Sequence, residues 1–148
     1  MVCAGDSGDS VDAWRSLKSI DAAIALEPLD GPEDIREKAE IIADRIDELT
    51  REKQRLQKES EQSNKIILSL RNQREILRNL TELQKERSSR DPQQLHELTE
   101  RISQHEQLLQ KTKTSLHDLE KELERLQNLL DEYNRKANSL QQKESSAP

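Results

Sequence analysis

Between Pro32 and Pro92 the chain has no glycine and no further proline, and between Pro92 and Pro148 it again has neither. Because these residues cost about 1 and about 3 kcal/mol in a helix interior, and repeated turns need them, the scarcity predicts two long helices. Aromatic residues are nearly missing too: there is no phenylalanine, one tryptophan (Trp14) and one tyrosine (Tyr133). With 31% of residues hydrophobic, a compact globular core cannot be filled, and folding must come from seams between helices. Cys3 is the single cysteine, which excludes an intrachain disulfide and a disulfide-stapled secreted scaffold. No stretch nears the roughly 20 apolar residues of a membrane span, and residues 1–6 have neither the basic nor the apolar region of a signal peptide. The expected setting is the cytoplasm, with possible association with the cytoskeleton. There the Asn79-Leu80-Thr81 sequon stays unmodified.

What the chain does have is charge, at 36% of residues. The net charge of −6 resides in residues 1–34, where Asp6, Asp9, Asp12, Asp21, Glu27, Asp30, Glu33 and Asp34 face only Arg15 and Lys18 as bases. The remainder is balanced. An interleaved neutral surface lacks the basic footprint of a general nucleic-acid binder and suits a solvated helical exterior.

The apolar residues keep helical time. Residues 1–9 read as a disordered acidic N-terminus. Residues 10–27 read as a short amphipathic helix with Ser10 as its cap and Val11, Trp14, Leu17 and Ile24 on one face. These four residues form a candidate partner-binding motif of the helix-in-groove kind; docking back onto the chain's own helices is the alternative. Residues 28–32 read as a linker, and Pro32, Glu33 and Asp34 suit the opening of helix one over 33–87.

Counting Ile35 as heptad position d, helix one has a strong d row (Ile35, Ile42, Leu49, Leu56, Leu70, Leu77, broken by Ser63). Its a row (Ala39, Ile46, Lys53, Ser60, Ile67, Arg74, Thr81) is half polar, and after Leu77 the spacing tightens to Leu80 and Leu83, which shifts the seam as a stammer would. Residues 88–92 read as a break or hairpin turn, since the residue before a proline avoids the α region and Asp91 with Gln94 forms a capping box. Helix two, 93–143, carries the better seam: Leu95, Leu98, Ile102, Leu109, Leu116, Leu119, Leu123, Leu126, Leu130, Tyr133 and Leu140 hold one phase at a and d. This seam is the candidate oligomerisation surface, and 144–148 reads as a disordered tail. The predicted fold is all-α: two long coiled-coil helices separated by one break and preceded by a short amphipathic helix.

Two arrangements of these helices compete. Folding back with Leu70 opposite Leu109 and Leu77 opposite Ile102 sets every a against a d, but it brings Glu52 and Glu59 toward Glu122, and Lys38 and Arg45 toward Lys136. A parallel oligomer along helix two avoids those like-charge flanks. Leu108 and Leu129 at g widen the seam and admit further helices.

Nothing points to chemistry. His96 and His117 fall outside the seam and His105 within it, so they cannot converge on a metal, and no residue joins them at helical ligand spacing. No nucleophile has a base partner and no glycine-rich loop could cradle a phosphate, so neither enzymatic activity nor a catalytic residue, metal, cofactor or small-molecule substrate is expected. A basic leucine zipper fails because Pro92 interrupts the helix that would have to run from residues 71–90 into the seam. Asp6-Ser7-Gly8-Asp9-Ser10 resembles the phosphodegron read by F-box ubiquitin ligase adaptors, although its second serine comes one residue early and a plain acidic segment accounts for it as well.

The expected function is therefore a non-enzymatic coiled-coil assembly protein, a subunit or adaptor of a larger intracellular complex of cytoskeletal, centrosomal or kinetochore type. Its partners would be proteins, met through coiled-coil pairing as a homo- or hetero-oligomer, with no nucleic acid. The alternative is a membrane-trafficking tether or tether-complex subunit.

Overall fold

A computed structural model describes residues 10–83 and 91–146. Of the described residues 91% are helical, and none lies in a strand. The order is a 3-10 segment (Ser10–Ser16), a one-turn helix α1 (Asp21–Ile24) and two long helices, α2 (Pro32–Leu83) and α3 (Asp91–Ser146). The two long helices pack against each other as an antiparallel hairpin, with Arg36 bonded to Asn138 and Gln141, Lys53 paired with Glu120 and Arg71 with Glu106. The fold class read from the sequence is the one observed. The expected disordered N-terminus and most of the expected break lie outside the described residues.

The start of α2 follows from its residues. Proline at the first helical position lacks the N–H that would go unpaired there anyway. The Asp34 carboxylate accepts the Gly31 N–H at 3.0 Å, and Ile35 N–H reaches the Gly31 carbonyl at 3.1 Å. Upstream, Asp30 closes a proline turn by accepting the Glu27 N–H at 2.8 Å. At the far end α3 continues to Ser146, past the 143 boundary that composition suggested, since nothing in Glu144-Ser145-Ser146 forbids another turn of helix.

Where the sequence predicts one helix over 10–27, the chain forms two short pieces. Asp12, at φ −110° and ψ 17°, kinks the 3-10 segment, and nothing between Leu17 and Ile20 is helical. Serines supply part of the reason, because their hydroxyls compete with helical hydrogen bonds: Ser16 donates to the Ala13 carbonyl at 2.7 Å, and the Ser19 oxygen accepts the Asp21 N–H at 3.2 Å. Tertiary contacts supply the rest, as described below.

The chain divides into two compact units. The first, Met1–Gln54 with Leu116–Pro148, is the better filled. Val11 and Ile24 are buried together with Ile35, Ala39, Ile42 and Leu49 of α2 and with Leu119, Leu126, Tyr133 and Ala137 of α3. The second, Arg55–Ser115, holds Leu56, Ile67 and Leu70 of α2 and Ile102 of α3, with three buried polar residues, Ser63, Thr112 and Ser115. Thr112 satisfies its hydroxyl on its own helix, donating to the Leu108 carbonyl at 3.0 Å. On α2 the d row from Ile35 to Leu70 is buried, joined by Ala39 and Ile67 of a; on α3 the buried d residues run from Thr112 to Tyr133, joined by Ile102 and Ala137 of a.

Candidate functional site

Of the sequence-predicted seam on α3, Ile102, Leu119, Leu126 and Tyr133 are buried. Leu95, Leu98, Leu109, Leu116, Leu123, Leu130 and Leu140 are half-buried. The hairpin thus buries four of the eleven seam residues within the chain itself and leaves the other seven half-exposed. Ser115, at g, is 1% exposed, and the a/d pattern gave no sign of it.

The head segment is docked in the first unit. Val11 and Ile24 are 3% exposed each, Trp14 is half-buried and Leu17 lies at the surface. Trp14 sits at a shallow groove with Leu49 of α2 and Leu126 of α3, while the Arg15 guanidinium stacks 4.6 Å from its ring centroid. The structure thus places the candidate partner motif on the chain's own helices.

Polar ties explain why this segment abandons helix. The Lys18 carbonyl accepts from the Arg45 guanidinium at 2.8 Å, the Ala25 carbonyl from Lys38 Nζ at 2.8 Å, and the Ile24 carbonyl from the Tyr133 hydroxyl at 2.7 Å. Each of these acceptors thereby finds a donor on α2 or α3. Arg15 pairs with Asp118 at 2.5 Å and Asp21 with Arg125 at 3.5 Å, two exposed pairs worth little by themselves. Lys38 and Asp30 are better shielded. The Lys38 hydrogen bond, then that of the Glu27 backbone, holds the Asp30 carboxyl below its ordinary range, and Asp30 in turn raises Lys38. Burial, followed by the nearby Glu132 charge, pushes the Tyr133 hydroxyl upward, so it stays protonated as a donor.

These ties also dissolve the like-charge objection to the hairpin. Lys38 has Asp30, Arg45 has Glu48 and the Lys18 carbonyl, Glu59 has Arg55, Glu122 has Arg125, and Lys136 has Glu132. The flank that reads as repulsive when only two helices are considered is neutralised by the head and by pairs along each helix.

The second unit presents a different surface. Ile66, Leu68, Ile76, Leu80 and Leu83 are exposed on α2, Leu68 at 64% and Leu83 at 82%. At 100° per residue most of them lie across the helix from the buried Ile67 and Leu70. Counted by heptad, Ile66, Gln73 and Leu80 occupy g, and Ser69, Ile76 and Leu83 occupy c. The spacing is 3, 4, 3, 4, 3, which is that of a second a/d seam. The sequence spacing reads Leu80 and Leu83 as the first seam shifted by a stammer, but both are exposed, since the helix runs on without a change of phase and they fall on this second row.

Among the described residues no group of three or more His, Cys, Asp or Glu side chains could hold a metal ion, and no helix is long and apolar enough to cross a membrane. His96 lies beside Glu100 at 3.1 Å on the surface, His105 is half-buried in the seam and His117 is exposed. The phosphodegron-like serines lie outside the side chains described. No protein-family model matches the chain, and no curated protein or solved structure matches it.

Proposed function

We propose that this chain is a non-enzymatic helical-hairpin assembly protein, a subunit or adaptor of a larger cytoplasmic complex of cytoskeletal, centrosomal or kinetochore type. The observation that carries the reading is the second heptad row on α2, exposed although the first row is satisfied within the chain. Isolated apolar residues on a surface are ordinary, but apolar residues at coiled-coil spacing form a surface to which another helix fits.

Proximity labelling with the tagged full chain tests the reading, wild type against the surface variant Ile76→Glu/Leu80→Glu. A labelled set rich in coiled-coil cytoskeletal proteins in the wild type, and depleted in the variant, is the expected result. A set unchanged by the variant, or one made of organelle-membrane proteins, overturns it.

A further inference from the structure

We propose that the exposed row on α2 pairs with the same row of a second copy of this chain, antiparallel, about a two-fold axis between Arg74 and Glu75. This rests on the assembly reading above and names the occupant of that surface.

The spacing is the first argument. Ile66, Ser69, Gln73, Ile76, Leu80 and Leu83 follow one another at 3, 4, 3, 4 and 3 residues, a series that is identical when reversed. A two-fold axis at its centre sets Ile66 opposite Leu83 of the second copy, Ser69 opposite Leu80 and Gln73 opposite Ile76. Every layer then joins an a-like to a d-like position, as antiparallel coiled-coil pairing requires, and the small Ser69 faces the large Leu80. Gln73 and its symmetry mate fall in adjacent layers, where the two amides can bond to each other and fix the register, a use attested for polar seam residues. An isologous contact of this kind closes on itself and gives a dimer, not a fibre.

Charge favours this orientation. Along one edge of the row lie Lys65 near its beginning and Glu75 and Glu82 toward its end, all exposed. Neither Lys65 nor Glu82 has an ion pair among the described residues. The antiparallel pairing brings Lys65 of each copy within about half a helical turn of Glu82 on the other, two attractions set against one repulsion between the two exposed Glu75 side chains beside the axis. A parallel, in-register pairing gains no such contact, because it turns the Lys65 edge of one copy toward the opposite edge of the other, where the buried Leu70 and half-buried Leu77 lie. The row extends over about 26 Å at 1.5 Å per residue, short for a coiled coil, so association should be reversible and dependent on concentration.

Sedimentation of the purified full chain across a concentration series, with cysteine pairing in a Cys3→Ser background, tests the proposal. A monomer–dimer equilibrium is expected, weakened at least tenfold by Ile76→Glu/Leu80→Glu with helicity unchanged, as both side chains are exposed. Lys65→Glu should weaken it on the order of three- to tenfold by turning two attractions into repulsions, and Lys65→Glu/Glu82→Lys should restore it. Ser69→Cys chains mixed with Leu80→Cys chains should form an intermolecular disulfide that Ser69→Cys chains alone do not form. The two Ser69 positions of an antiparallel dimer are about 16 Å apart along the axis, well beyond the roughly 7 Å between Cα atoms that a bridge tolerates. A disulfide between Ser69→Cys chains alone would mean a parallel dimer and overturn the proposal. A chain that stays monomeric at high micromolar concentration also overturns it; the assembly reading then stands if proximity labelling still depends on the row, and falls with it if labelling does not.

Discussion

A single tyrosine shows how a residue can do more than fill a seam. Tyr133 occupies a d position, as its heptad predicts, and its ring is 7% exposed. Its hydroxyl also crosses to the Ile24 carbonyl, which the heptad could not foretell because the acceptor belongs to a segment 109 residues away. Tyr133→Phe keeps the packing and removes the donor, leaving that carbonyl without its partner, so we expect a loss of about 1 to 2 kcal/mol. Chemical denaturation monitored by circular dichroism measures it. An unchanged midpoint would mean that water replaces the hydroxyl without cost. Trp14 makes a related point: the chain's only tryptophan is legible as the anchor of an apolar face, but whether that face meets a partner or its own helices depends on Lys38, Arg45 and Tyr133, whose reach is tertiary.

At the scale of elements, the head is a strap held by ties that titrate. Asp30 has a lowered folded-state pKa, so its contribution is present above the ordinary carboxylate range and is lost as pH falls through the folded value. Lys38 has a raised one, so its contribution is present below the ordinary lysine range and is lost as pH rises through the folded value. The Lys38–Asp30 tie is thus intact at neutral pH and weakens only as pH falls below the ordinary carboxylate range. Trp14 fluorescence reports the docking, and in Asp30→Asn the acid transition should be shallower than in wild type. If the two acid profiles coincide, the tie contributes nothing to docking. Among the long helices the d rows are the buried rows, which sequence shows plainly for α2, where a is half polar. On α3 it does not, since leucine fills both rows and only the partner's geometry decides which turns inward. Leu119→Ala, at a fully buried d position, should therefore cost about 2 to 5 kcal/mol, and Leu116→Ala, at a half-buried a position, clearly less. Equal losses would contradict the d-centred packing.

For the whole molecule, the number of helices, their approximate limits and their class are legible in the sequence, because glycine, proline and apolar spacing are local signals. The hairpin is harder to read. Its flanking charges argue against it unless the head's carbonyls and Asp30 take up Arg45 and Lys38, as they do in the folded chain. The exposed row on α2 is hidden because a count that follows one seam absorbs Leu80 and Leu83 into it as a stammer and passes over Ile66 and Ile76 on the same helix. Stability should differ between the two units for the same structural reason. The first has a docked third layer and buries Ile42, Leu119, Leu126 and Ala137 almost completely, whereas the second has two helices only, with Ser63, Thr112 and Ser115 among its buried positions and five large apolar side chains of α2 left exposed. Amide hydrogen exchange follows the free energy of local opening, which rises with buried apolar contact. In the full chain the amides of residues 119–137 and 35–49 should exchange slowest, and those of residues 76–83 and 95–101 fastest. At concentrations where the row is paired, residues 66–83 should gain protection that Ile76→Glu/Leu80→Glu removes, while residues 119–137 stay as they were. Slower exchange in residues 76–83 than in 119–137 at low concentration would reverse the order of stability that burial implies.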